Sequence, residues 1–352
     1  MKHFKFYSNS ELQSLINIRQ FEIKLGERLK YLSSAQNWRE VLKNTSAKYI
    51  IVGIPEDIGV KANFGKGGAA TAWEPFLSSF LNNQSNEFLT GEDILILGCF
   101  DFSDLECLIE QNACNPEERI VAYRHAVTII DEEVEIVIKE IAFLKKVPIV
   151  IGGGHNNAYP IIKGVAKGLQ KAEMLAQAQI NVINIDAHAD FRNTEGRHSG
   201  NAFRYAAENG YLGKYCVVGL HENAVPQSVL LELNNHPSIH YSTYEEIFLH
   251  ERKTFMQATA HAIGFTEDTF TGIELDLDCI ENVLCSAATP TGITALHARQ
   301  FITFVAQDAK AVYLHICEGA TQLADGRTNV TTGKLISYLV TDFIKASDKN
   351  NL

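Results

Sequence analysis

Three segments carry residues whose types and spacing suit metal chemistry. In Asn184–Ile185–Asp186–Ala187–His188–Ala189–Asp190, ionisable groups recur at every second position directly after an apolar run. Alternate residues of an extended chain point the same way, so Asp186, His188 and Asp190 are expected to project together. Two carboxylates and an imidazole desolvated side by side would repel or shift their pKa values unless a cation joined them. A solvated loop, or a helix capped by Asp190, is the bland alternative. Ile273–Glu274–Leu275–Asp276–Leu277–Asp278 repeats the logic, with Asp276 and Asp278 on one face and Glu274 deeper on the same face. Ile149–Val150–Ile151–Gly152–Gly153–Gly154–His155 is a strand emptying into three glycines, which let the backbone turn sharply and leave His155 at the sheet edge. No nucleotide-binding glycine pattern is present there. Together His155, Asp186, His188, Asp190, Asp276 and Asp278 supply four carboxylates and two imidazoles. Such a mixed set suits Mn2+ better than Ca2+, and its carboxylates can bridge, so a binuclear centre is expected; nickel, cobalt and iron accept similar ligands.

These residues need a scaffold that ends several strands at one edge. Short β-branched runs at Tyr49–Pro55, Ile94–Asp101, Pro148–Gly152, Asn181–Asp186, Tyr215–Leu220, Ile239–Thr243, Thr271–Asp278 and Val312–Glu318 read as eight strands. Helical patterns lie between them, at roughly 72–82, 117–145, 159–178, 199–210, 225–235, 244–263, 296–308 and 332–346. Strands that are apolar on both sides and alternate with helices predict a parallel sheet covered on both faces, hence a three-layer α/β/α fold with a central parallel eight-stranded sheet. A closed barrel is the topological alternative, and both place functional groups at the carboxyl ends of the strands. Apolar residues at Leu12, Leu15, Ile16, Leu25, Leu29 and Leu32 predict an amphipathic helix over 10–32, breaking near Gly26. Residues 1–47 are therefore expected to be a helical extension packing on a single domain, 48–352, with no linker or repeat dividing it.

Composition narrows the function classes. Of the 352 residues, 46% are hydrophobic and 21% charged, which excludes wholesale disorder. A net charge of −11 and no basic run longer than a pair argue against a nucleic-acid partner, which would demand a positive surface. The seven cysteines include no C-x-x-C pair and read as buried thiols of a reducing compartment. With no signal-peptide pattern and no apolar stretch of about 18 residues, the protein is expected in the cytoplasm and off the membrane.

The segments GGGHNN, NIDAHADFR and ELDLDCIEN resemble the three metal-binding motifs of the arginase, agmatinase and formiminoglutamase family, in the family's order, and the similarity runs from Ile51 to Glu318. The resemblance implies two Mn2+ ions per chain, one held by His155, Asp186, Asp190 and Asp276, the other by Asp186, His188, Asp276 and Asp278. It further implies that a hydroxide between the ions attacks an amidine or guanidinium carbon, that Asp190 relays a proton to the leaving amine, and that Glu318 pairs with the cationic C–N group. Homo-oligomers are usual in the family.

Substrate choice rests on the loop after the second motif. Where arginases carry an Asn and a shuttle His, this chain has Arg192 and Phe203. Both are similar to the Asp-x-Arg and Ser-Gly-x-x-Phe of formiminoglutamases, and an arginine fork can hold a glutamate-like carboxylate. A surface pair with Glu195 is the alternative role for Arg192. The expected reaction is hydrolysis of N-formimidoyl-L-glutamate to L-glutamate and formamide in histidine breakdown. The alternatives are an arginase- or agmatinase-like guanidino-acid hydrolase, or a family member that binds metal without catalysis. His198 is a candidate replacement acid or a loop cap, and Ser199, Asn201 and Asn223 are candidate substrate contacts.

Overall fold

The apolar runs pair into one sheet in the computed structural model of the chain, which describes residues 2–32 and 37–349. In chain order its strands are β1 (Phe4–Phe6), β2 (Tyr49–Gly53), β3 (Ile94–Phe100), β4 (Val147–Ile151), β5 (Ile180–Ile185), β6 (Leu212–Leu220), β7 (Ile239–Thr243), β8 (Thr271–Asp276) and β9 (Ala311–Cys317). They lie in the order β1-β3-β2-β4-β9-β8-β5-β6-β7, and every pairing is parallel except β1 with β3. The sheet is open, with β1 and β7 at its edges, so the barrel topology does not occur.

Strands β2, β3 and β5 are buried at every position, as a sheet covered on both faces requires. Alternate residues feed opposite layers. Ile50, Val52, Val150 and Val182 join one core with Val127, Ile130, Ile161 and Ile162 of the helices Pro116–Phe143 and Ala158–Lys171. Ile51, Ile149, Ile151 and Ile183 join the other, with Phe76 and Phe80 of Trp73–Leu81, Phe301 of Ala295–Asp308 and Phe343 of Thr332–Lys349.

Several local expectations are corrected. A ninth strand, β1, comes from within the expected helical extension and pairs antiparallel with β3. The helix over 10–32 is confined to Asn9–Gln13, capped by Ser8 with Glu11, followed by a 3-10 turn at Leu25–Glu27. The intervening backbone bonds elsewhere: Asn82 accepts from Asn17 N–H and donates to Leu15 O, so Leu12, Ile16 and Leu25 reach the core without a continuous helix. A second helix of the extension spans Trp38–Asn44, while residues 33–36 and 350–352 lie outside the described residues. The helix over 244–263 is two elements, a π-turn at Glu245–Leu249 and the helix Phe255–Thr266, split where Glu251 takes a left-handed φ of 50° and Thr254 caps a new start. Cys107 and Cys114 are exposed rather than buried.

Strands β4, β9, β8 and β5 are consecutive neighbours. The chain leaves β4 and returns at β5 with β9 and β8 between them, a topological switch point of the kind where open α/β sheets hold ligands. All the residues expected to bind metal follow or end these strands.

Candidate metal centre

The structure brings His155, Asp186, Asp190 and Asp276 together, and Asp186, His188 and Asp278 beside them, one ligand-type atom of each lying within 4.8 Å of the others in its group. Nδ1 of His155 faces three carboxylates: Asp190 Oδ2 at 2.9 Å, Asp276 Oδ2 at 3.1 Å and Asp186 Oδ2 at 3.2 Å. Nδ1 of His188 lies 3.1 Å from Asp278 Oδ2 and 3.5 Å from Asp186 Oδ1. Asp186 therefore presents a different oxygen to each histidine, as a bridging carboxylate would. Asp276 falls only in the first group, and its Oδ1 accepts the Asp278 N–H at 2.8 Å.

Backbone geometry departs from the extended alternation expected of this site. β5 ends at Ile185 and β8 at Asp276, with Asp278 in the 3-10 turn Leu277–Cys279. Asp190 and Glu318 both take left-handed φ values, 44° and 62°, which non-glycine residues adopt only when the surroundings impose it. The structure spends strain to aim both carboxylates.

The donor set fits divalent cations. Both ring nitrogens of His155 and Oδ1 of Asp278 are buried without a hydrogen-bond partner, an exception to the rule that buried polar atoms are satisfied. Burial, then the Asp278 and Asp186 charges, pushes the Asp276 carboxyl well above its ordinary range, and burial and Asp186 also raise Asp190. Asp186 goes the other way: burial opposes ionisation, but the His155 and His188 imidazoles outweigh it. Such a cluster is short of positive charge, which bound cations would supply.

A cavity of about 220 Å³ opens over this centre. His188, Asp190, Asp276, Asp278 and Glu318 line it from the sheet side, and Asn63, Arg192 and Ser199 with the apolar Val225 and Pro226 line it elsewhere. Glu318 Oε1 accepts the His155 N–H at 2.9 Å; burial, opposed by that N–H and reinforced by Asp278 and Asp190, lifts its carboxyl to about 8. The Arg192 side chain is exposed and makes no hydrogen bond or ion pair among the described residues; Glu195 pairs with Arg124 and His198 instead. Ser199 Oγ accepts from Asn63 Nδ2 at 3.2 Å.

Two expected contacts, Asn201 and Asn223, are placed differently, and His198 takes its loop-cap alternative. His198 is fully buried, off the cavity lining, and spends Nδ1 as acceptor for the Gly200 N–H at 3.1 Å, so it caps the 3-10 turn Ser199–Asn201 and does not face a substrate. Burial drives its pKa down to about 4, against the pull of Glu195. Asn201 is consumed by the same loop, accepting from Arg197 Nη1 at 2.9 Å and from the His198 N–H at 3.1 Å, and donating to Asn193 O and Gly196 O. Asn223 is exposed, and its loop turns Ala224, Val225 and Pro226 to the cavity instead.

Sequence reasoning missed the residues that hold the loops. Buried Glu56, after β2, accepts from the Gly154 N–H at 3.1 Å, Asn157 Nδ2 at 2.8 Å, Asn156 Nδ2 at 3.2 Å and the Gly59 N–H at 3.0 Å, which fixes the turn carrying His155. Buried Arg197 clamps Asp131 through Nε at 2.7 Å and Nη2 at 3.2 Å, and donates to Asn156 O at 2.7 Å. Both are single charged residues with partners far away in the chain; the one available signal was Glu56 next to the end of a fully apolar strand.

Residues 47–341 match the model of the arginase family. The formimidoylglutamase of Macrococcus caseolyticus is 30% identical over 199 residues, a stretch that covers 55% of this chain and 60% of that relative's length. Among solved structures, the formimidoylglutamase of Bacillus subtilis superposes with a TM-score of 0.73 at 16% identity, covering 96% of this chain and 95% of that one. The Trypanosoma cruzi formiminoglutamase with Mn2+ gives a TM-score of 0.68 at 18% identity, covering 92% of this chain and 98% of that one. The sheet, the clustered ligands and the family match over most of the length agree: the chain belongs to the arginase family.

Proposed function

We propose that the protein is a binuclear-metal hydrolase that cleaves N-formimidoyl-L-glutamate to L-glutamate and formamide, a step of histidine breakdown, in the cytoplasm and as a homo-oligomer. The observation that carries the reading is Arg192, an unpaired guanidinium on a cavity whose other ionisable lining groups are His188, Asp190, Asp276, Asp278 and Glu318. A substrate with a cationic amidine at one end and carboxylates at the other matches that polarity. The chain's relatives and fold neighbours named formimidoylglutamase support the same choice, and the Mn2+ in the Trypanosoma cruzi enzyme supports manganese as the metal.

His155, Asp186, Asp190 and Asp276 would hold one ion, and Asp186, His188, Asp276 and Asp278 the other. Bound there, the pair supplies a water that ionises at neutral pH and Lewis acidity at the reacting carbon. The chain's own residues do the rest. Glu318, its carboxyl held over the cavity by the His155 N–H, receives the amidine N–H groups and orients the formimidoyl carbon. Arg192 holds a carboxylate of the glutamate end, with Ser199 and Asn63 beside it. Water adds to the formimidoyl carbon, the bond to the glutamate nitrogen breaks, and the carboxylate of Asp190 takes the water's proton and returns it to that nitrogen. The carbon leaves as formamide.

A guanidino-acid hydrolase is the second reading, favoured by the apolar Ala224–Pro226 wall, which would accept an aliphatic chain. Assay of the Mn2+-loaded protein on N-formimidoyl-L-glutamate, arginine, agmatine and shorter guanidino acids separates the two. Turnover of arginine alone would sink the first.

A further inference from the structure

Behind the metal centre lies a buried polar group that the reaction does not touch. Glu274 on β8 is fully buried. Its Oε1 accepts the Tyr313 hydroxyl at 2.7 Å, and its Oε2 lies 2.6 Å from His315 Nδ1 and 3.4 Å from His155 Nε2, an ion-pair contact just outside hydrogen-bond geometry to a ring nitrogen that has no hydrogen-bond partner. The β8–β9 register pairs Glu274 with His315 and Gly272 with Tyr313. At Gly272 a Cβ would sit 2.0 to 2.5 Å from the Tyr313 ring edge and hydroxyl, so only glycine leaves the space that lets this tyrosine reach the carboxylate. A buried carboxylate with three aromatic partners, and a glycine that makes room for one of them, has no use in core packing, where an apolar side chain would be cheaper.

We infer that Glu274 is a positioning residue of the metal centre: it holds the His155 proton on Nε2, leaving the Nδ1 lone pair for the cation, and so sets the affinity of the His155 site. Nδ1 faces Asp186, Asp190 and Asp276, the side on which a cation would sit, so the ring proton must be on Nε2, where Glu274 stands. A metal-bound histidine that gives its other N–H to a carboxylate is fixed in tautomer and orientation and becomes the stronger ligand. Tyr313 and His315 hold Glu274 in turn. The inference rests on the metal-binding reading above. His155, His315 and Cys317 also bring one ligand-type atom each within 4.8 Å of one another, so a third, soft cation beside Glu274 is the competing explanation of the cluster.

Mn2+ titration of the metal-free chain separates these readings, with melting temperature in chelator as the control for folding. The wild-type chain is expected to bind two ions. Glu274→Gln should weaken one of them by roughly 10- to 100-fold and leave the other unchanged, the usual effect of losing an outer partner of a ligand; Asp278→Asn should weaken the other. In the diamagnetic Zn2+-loaded protein, the His155 ring 15N shifts should report the Nε2–H tautomer, with mixed tautomers in Glu274→Gln. If Glu274→Gln fails to fold, Tyr313→Phe should weaken the same site by a smaller factor, and unchanged affinity there overturns the inference. Two ions bound with wild-type affinity by a folded Glu274→Gln protein overturn it while leaving the metal reading intact. A wild-type chain that binds no Mn2+ refutes the metal reading itself, and a third ion lost in Cys317→Ser replaces the inference with a cation site.

Discussion

Phe203 stands edge-on to the imidazole of His155, with ring centroids 5.1 Å apart and planes at 88°. Its other face stacks on Tyr215 at 4.3 Å, and Phe203 is fully buried away from the cavity lining. The residue at the position of the arginase shuttle histidine is here a wall that holds a ligand ring in place. Phe203→Ala should cost about 3–5 kcal/mol of stability, the range for emptying a buried aromatic site, read by denaturant unfolding. Phe203→His should not confer arginine hydrolysis, because its ring would meet His155 rather than a substrate; appearance of that activity would contradict the placement.

Arg192 is the one lysine or arginine among the described residues that line the cavity. Arg192→Ala should raise KM for N-formimidoyl-L-glutamate by roughly 10- to 100-fold with kcat changed little, the loss of a charge-assisted contact worth about 1.5–3 kcal/mol. Arg192→Lys should recover only part, since an ammonium cannot grip a carboxylate with two parallel bonds. Steady-state kinetics decide it; a large fall in kcat at constant KM would move Arg192 from binding to chemistry.

His198 makes stability depend on pH. Its folded pKa is depressed from 6.5 to about 4, so between those values the unfolded chain takes up a proton that the folded chain refuses. Stability should therefore fall as pH drops from 6.5 towards 4. His198→Asn keeps an acceptor for the Gly200 N–H and does not titrate, so its unfolding free energy should decline less steeply over that window. Parallel pH curves for the two proteins would remove the assignment.

Arg197 and Asp131 form a buried, two-pronged ion pair, with the guanidinium 4.8 Å from the ring centres of Tyr159 and Tyr205. Arg197→Ala leaves Asp131 buried without its partner and should cost about 3–5 kcal/mol by chemical denaturation. It also frees Asn156 O and Asn201, so the loops bearing His155 and Arg192 should lose protection from hydrogen exchange. A loss below about 1 kcal/mol would mean the pair is dispensable.

The ligands were legible because their signal is local. Asp186, His188 and Asp190 sit within five residues of a strand end, and the apolar parity of Ile273, Leu275 and Leu277 exposes Asp276 and Asp278 by contrast. The eight parallel strands were legible for the same reason, being short runs rich in apolar and β-branched residues. β1 was not: three residues, Phe4–Phe6, carry too little pattern to separate from a loop, and their pairing with Phe100 is set by tertiary contact. The 10–32 region shows the converse, since Leu12, Ile16 and Leu25 are spaced like a helix yet reach the core from a short helix, a stretch tied to Asn82 and a 3-10 turn. The roles of His198 and Asn201 were not legible because a loop's own backbone can consume polar side chains, and no spacing rule shows which ones it takes.

The central claim is a two-ion centre joined by Asp186, whose oxygens face different histidines. Mn2+ stoichiometry of the metal-stripped and reloaded protein tests it most directly, measured on the wild type and on Asp186→Ala. Two ions per chain in the wild type, with both retained poorly in the variant, is the predicted result. A wild type that saturates at one ion or none, or a variant that still holds two, would contradict it.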